Sequence, residues 1–313
     1  MSSEIRIADL GDEQSLRSIA RRFKQHSVFK AAKPALDAMK NSLPFAMRMA
    51  THRFRHLPTV VIVGVKRAGT RRLYSNLLKH PRCFAAVEKE IDYFSEHSGR
   101  SVAWYRSRFP LRRRVLRRGG HVLEVSPSYL PSPSALRRMK EVLPRTRIIV
   151  VLRDPVSRAF AHYEHQRTRF VESRGFEEAI TEELRNGAFP AKPGVALAAD
   201  AKPMLGYVSR GYYALQLELL LKVYSRNRVL VIDSASLTED TGAVCERVFD
   251  FMGLDSFDVE AGKTGERDLY QQKIDPRVAD RLREHYRPYD EMLEEMLGQS
   301  FSWMAPRVQS VAA

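Results

Sequence analysis

The chain has 313 residues, 44% hydrophobic and 28% charged, with 52 lysines and arginines against 37 acids for a formal net charge of +15. That length and apolar share suit one large α/β domain with appended segments and exclude a wholly disordered chain. A field of this sign gathers anions, so charge alone leaves nucleic acid, an anionic membrane and a small polyanionic substrate as candidate partners.

Two cysteines, Cys83 and Cys245, are too few for a disulfide framework or a thiolate zinc site. They point to a reducing cytoplasm, and no His/Cys/Asp/Glu spacing calls for a metal. Residues 1–15 are polar and acidic, unlike a secretory leader, and the longest apolar runs, such as Val60–Val65, are too short to cross a bilayer.

Residues 1–57 read as an N-terminal basic helical extension. Leu16, Ile19, Ala20 and Phe23 recur at helical spacing among Arg17, Arg21, Arg22 and Lys24, and an apolar, Met-containing stretch follows from Pro34 to Met49. Such a helix packs on its own domain, lies on a membrane surface or binds a partner. A single ordered domain is expected over 58–304, with 305–313 as a tail. Thr59–Val65 (TVVIVGV), His121–Val125, Arg147–Leu152 (RIIVVL) and Val229–Asp233 (VLVID) predict strands, the first a continuous apolar run of the kind buried on both faces. Helical patterns follow at Thr70–Lys79, Pro133–Val142, Pro155–Arg167 and Thr241–Met252. The alternation predicts an α/β fold: a P-loop-like parallel sheet flanked by helices. Residues 186–206, rich in Gly, Ala and Pro, predict a long loop or lid.

Two segments carry chemistry. Gly64-Val65-Lys66-Arg67-Ala68-Gly69-Thr70-Arg71 lies between a buried strand and a helix, where loop amides and the helix N-terminus attract phosphate. Its two glycines have Walker A spacing. A Walker loop, however, needs Lys and then Ser/Thr after the second glycine, and here Thr70 follows Gly69 directly. The second segment is Arg147–His165 (RIIVVLRDPVSRAFAHYEH). Arg153 ends a strand, where open α/β sheets bind ligands, and Asp154-Pro155 starts a helix. Arg153 and Arg158 are candidates for a phosphate clamp.

These segments resemble the 5′-phosphosulfate loop and the 3′-phosphate strand and helix of sulfotransferases that use 3′-phosphoadenosine-5′-phosphosulfate (PAPS). The nearest subgroup is the heparan-sulfate type, including 3-O- and N-sulfotransferases. The similarity continues in order through KEIDYF (89–94), AWYRSRFP (103–110), LEVSPSYL (123–130), GYYALQLELLL (211–221), RVFDFMGL (247–254), GKTGE (262–266) and LREHYRPYDEML (282–293). It implies that Lys66, Arg67, Ala68, Gly69, Thr70 and Arg71 hold the 5′-phosphosulfate and that Arg153 holds the 3′-phosphate. Lys263, Thr264, Gly265 and Arg267 would close a loop over the nucleotide. Glu90 falls at the position of the catalytic base, and Lys66 or Arg67 would offset charge on the leaving group, PAP. A carboxylate beside the donor can take the acceptor's proton; the bland alternative for Glu90 is a surface pair with Lys89.

The chain departs from the subgroup at several positions. Arg67 and Val125 stand where lysines are usual, Ala161 where a serine is usual, and Asp92 where a histidine is usual. The disulfide of the C-terminal loop is missing.

The expected activity is therefore sulfuryl transfer from PAPS, without metal, to a hydroxyl or amine of a carbohydrate or glycoconjugate. A P-loop phosphotransferase and a non-catalytic polyanion-binding protein are the alternatives. The arginines at 106, 108, 112, 113, 114, 117 and 118 would line a cleft for an acidic chain, meet nucleic acid or lipid phosphate, or form a solvated helix face in equal measure; Trp104 and Tyr105 would stack on sugar rings, with core packing the favoured role for at least one of them. Nucleic acid is the disfavoured partner, and the expected location is cytoplasmic with optional membrane contact.

Overall fold

The structure is a computed structural model that describes residues 44–186, 206–259 and 274–305. The chain divides between His52 and Arg53, and the second unit contains the sheet. In the first unit, residues 44–50 are helical. The helix near Leu16, the 187–205 segment and the tail from 306 lie outside the described residues.

Five parallel strands form the sheet in the order β2-β3-β1-β4-β5: β1 Val60–Gly64, β2 Cys83–Ala85, β3 His121–Val125, β4 Arg147–Leu152 and β5 Val229–Asp233. β1 lies at the centre, pairing Val60 with Leu123 on one side and with Arg147 on the other. Every residue of β1 is buried, as are five of the six in β4, because helices cover both faces and no side chain can point to water.

The helices are α1 Thr70–Leu77, α2 Val102–Arg106, α3 Arg112–Leu116, α4 Pro133–Val142, α5 Pro155–Thr168, α6 Phe176–Arg185, α7 Tyr213–Val223, α8 Ser234–Glu239, α9 Thr241–Met252 and α10 Pro276–Leu297. The predicted parallel α/β sheet is what the structure contains. Local signals set several helix starts. Ser132 caps α4 by accepting from the Ala135 amide at 3.2 Å, with Pro133 behind it, and Asp154 caps α5 through the Val156 amide at 3.1 Å.

Parallel strands deliver all their C-terminal ends to one edge of the sheet, and the loops there build the site. Gly64 closes β1 against Leu130: a Cβ at Gly64 would stand 2.7 Å from the Leu130 Cδ2 atom, so only glycine lets the strand end pass. The Leu130 amide donates to the Val63 carbonyl at 3.0 Å and holds that approach.

Candidate active site

A cavity of about 940 Å³ opens at the C-terminal ends of β1, β3, β4 and β5. Its floor is the loop between β1 and α1. Gly69 caps α1 in the left-handed conformation (φ 88°) without a side-chain cap hydrogen bond, so the first-turn amides of α1 face the cavity without a side-chain acceptor. Lys66, Arg67, Gly69, Thr70, Arg71, Glu90 and Arg153 all line this cavity. Ala68 does not: it is buried in the core, and its amide donates to the Val65 carbonyl at 3.3 Å, tightening the loop. Lys263, Thr264, Gly265 and Arg267 lie outside the described residues.

Three site residues hold left-handed backbone that favours glycine: Arg67 (φ 72°), Glu90 (φ 56°) and Asp92 (φ 49°). Such conformations persist only where the surroundings fix them. Arg153 fixes Arg67, donating from Nη1 to its carbonyl at 3.0 Å, and the Tyr213 hydroxyl donates to the Arg153 carbonyl at 2.8 Å. The Glu90 loop is tied to the end of β3. The Glu90 amide donates to the Val125 carbonyl at 3.0 Å, and the Asp92 amide donates to Ser126 Oγ at 3.2 Å.

Glu90 pairs with Arg71, whose Nε donates to Oε1 at 2.9 Å. Lys89 turns away to Ser75 Oγ at 3.2 Å and sits over the Tyr74 ring, so the bland Lys89–Glu90 pair does not form. Lys66 is half-buried between opposing influences. Burial lowers its pKa first and Arg210 next, while Asp92, Glu90 and Glu96 act to raise it.

Behind the Glu90 loop lies Glu124, fully buried in β3. Ser126 Oγ donates to its Oε1 at 3.0 Å, Tyr129 donates to the same oxygen at 2.7 Å, and Tyr105 donates to Oε2. Burial pushes the Glu124 carboxyl up to about 7, against the pull of the three hydroxyls. Ser126 therefore links this carboxyl to the backbone of the Glu90 loop.

The structure decides three open readings. Arg158 does not join Arg153. It is fully buried, donates from Nη2 to the Tyr207 carbonyl, and does not reach the cavity lining, because α5 turns that face onto α10 and the segment before α7. Tyr105 is core: it stacks on Tyr93 with ring centroids 4.4 Å apart. Trp104 packs under Arg108, whose guanidinium lies 4.1 Å from its ring centroid. None of the seven arginines between 106 and 118 lines the cavity.

The cavity also contains residues that the sequence did not single out: His162, His165, Arg169 and Arg210. Burial and then the Arg158 cation pull Arg210 down to about 10, and burial followed by the Arg158 and Arg210 cations holds the His162 imidazole down at about 2. Helical spacing could have found His165, which follows Ser157 and Ala161 on α5 at steps of four, all three at the cavity. Nothing local points to Arg210.

The family model described as "Sulfotransferase domain" matches residues 57–292, and the chain belongs to this family. The chain is 31% identical over 284 residues to human heparan sulfate glucosamine 3-O-sulfotransferase 6, spanning 83% of this chain and 77% of that protein. It is 29% identical over 217 residues to mouse bifunctional heparan sulfate N-deacetylase/N-sulfotransferase 4, spanning 64% of this chain and 22% of that protein. The fold is similar to the crystal structure of a sulfotransferase from Alicyclobacillus acidocaldarius, with a TM-score of 0.61 and 24% identity over 80% of this chain and all of that one. The protein is thus a sulfotransferase of the heparan-sulfate type.

Proposed function

We propose that the enzyme takes the sulfuryl group from PAPS and passes it to a hydroxyl or amine of a carbohydrate. One observation carries the donor: cations crowd the cavity at an uncapped helix N-terminus. Arg72 and Arg210 both line the cavity, and each has a buried Nε with no hydrogen-bond partner among the described residues. Orphaned buried donors of this kind want anionic oxygens, and a nucleotide with a 3′-phosphate and a 5′-phosphosulfate offers them. Lys66, Arg67, Gly69, Thr70 and Arg71 would hold the phosphosulfate end, and Arg153 the 3′-phosphate.

Glu90 would take the proton as the acceptor oxygen or nitrogen bonds to sulfur. The bond from sulfur to the bridging phosphate oxygen breaks, and that oxygen keeps the electron pair. Lys66 and Arg67, which both line the cavity, would offset its charge. The printed names of the relatives, heparan sulfate glucosamine 3-O- and N-sulfotransferases, support a sugar acceptor. A cytoplasmic setting is part of the same proposal, supported by Cys83 and Cys245 as buried free thiols.

The test is transfer from radiolabelled PAPS to a panel of glucosamine-containing polysaccharides, oligosaccharides and simple phenols. Label is expected on a saccharide without added divalent metal. Label on a phenol alone removes the acceptor class. No transfer to any acceptor, with magnesium-dependent transfer from ATP instead, removes the donor.

A further inference from the structure

Residues 106–118 contain seven arginines and no acid, and the reaction cavity uses none of them. One is diverted: Arg108 is neutralised by Glu88 at 3.2 Å and covers Trp104, while Arg106 ends α2 half-buried. The other five lie on and just after α3. None of Arg112, Arg113, Arg114, Arg117 and Arg118 has an ion-pair partner among the described residues; Arg114 and Arg118 lie 5.7 and 6.0 Å from the Phe84 ring centroid.

Apolar side chains stand among these cations, in water. Val115 anchors α3 in the core, while Arg112, Arg113, Leu116 and Arg117 are all exposed. Leu116 is 55% exposed, Leu111 at the start of α3 is 44% exposed, and Phe54 is 69% exposed. Phe54 belongs to the same surface, because Arg55 pairs antiparallel with Leu111 and the His56 amide donates to the Pro110 carbonyl at 2.9 Å.

α3 leads through Gly119 and Gly120 into the N-terminal end of β3, and the cavity lies at its other end. A strand of five residues separates them by roughly 16 Å.

We propose that this surface docks the enzyme on an anionic lipid bilayer. An acidic polysaccharide or a nucleic acid would pair with the arginines and leave Phe54, Leu111 and Leu116 in water. A bilayer takes both: the guanidinium groups sit at the anionic headgroups, and the apolar side chains enter the acyl boundary. Docking at the N-terminal edge of the sheet leaves the cavity at the opposite edge open to a water-borne acceptor.

The experiment is co-sedimentation of the full chain with phosphatidylcholine vesicles and with mixed phosphatidylcholine–phosphatidylglycerol vesicles. Two variants are compared with the parent, Arg112→Gln/Arg113→Gln/Arg117→Gln and Leu111→Ser/Leu116→Ser. Both keep the parent's melting temperature, because the altered side chains are exposed. The parent binds the mixed vesicles only. The arginine variant loses about a hundredfold in partitioning, at about 1 kcal/mol for each basic residue. The leucine variant loses about tenfold and becomes more sensitive to salt, as burial of two leucines is forfeited. Parent-like binding by both variants overturns the proposal. So does loss in the arginine variant with no loss in the leucine variant, which would make the surface a site for a water-soluble polyanion.

Discussion

Replacing Glu124 with glutamine tests whether β3 holds a protonated carboxyl at the back of the site. Glu124 is enclosed by the hydroxyls of Tyr105, Tyr129 and Ser126, and burial raises its carboxyl from 4.5 to about 7. The unfolded chain ionises this carboxyl near its ordinary value, whereas the folded chain keeps it protonated until about pH 7. Between those values the folded state binds one proton more, so its stability falls as pH rises. The fall is complete above the folded pKa, and the contribution is fully present below the unfolded one. A shift of this size, at about 1.4 kcal/mol per unit, corresponds to ~3 kcal/mol. Glutamine keeps the shape and does not titrate. Urea unfolding of the two proteins at steps between about pH 5 and about pH 8 should therefore show the variant gaining ~2.5 kcal/mol of that on the parent across the range. Every other titrating group is common to both proteins and cancels in the difference. A difference that stays flat with pH would refute a buried neutral Glu124, and a difference of opposite slope would mean the carboxylate is stabilised as the anion.

PAP should raise the melting temperature of the parent by binding only the folded state, and Arg153→Ala should remove most of that rise; a parent with no shift at saturating PAP counts against the nucleotide site. Glu90→Gln should lower single-turnover transfer by roughly 10²–10⁴-fold while leaving PAP affinity nearly unchanged, and parent-like transfer by this variant would exclude Glu90 as the base.

The sequence by itself determined the layered α/β architecture and the floor of the site. β1 and β4 are continuous apolar runs because parallel strands covered on both faces need no alternation, and Asp154-Pro155 sets the start of α5 through its own cap. The loop from Gly64 to Arg71 was legible as a strand-to-helix turn because its two glycines, Thr70 and its basic side chains fall within eight consecutive residues. β2 was not legible, since Cys83–Ala85 has three residues and no period. α10 was missed as an element as well, its pattern interrupted by Pro288.

Tertiary structure alone decided where the charged side chains went. Arg158 and Arg153 are five residues apart, yet the packing of α5 sends Arg158 into the core and leaves Arg153 at the cavity. Arg210 arrives at the cavity from the segment before α7, with no local pattern to announce it. Glu124 is one charged residue within the HVLEV strand; only the convergence of Tyr105 and Tyr129 from separate segments supplies the hydroxyls that let a carboxyl be buried there. The arginines after Arg106 looked like a wall of the acceptor cleft, but the parallel direction of β3 sends them to the far edge of the sheet. A residue's type and spacing fix what chemistry it can offer. Which end of which strand it reaches, and what packs behind it, follow from contacts between segments distant in the chain, which local sequence does not encode.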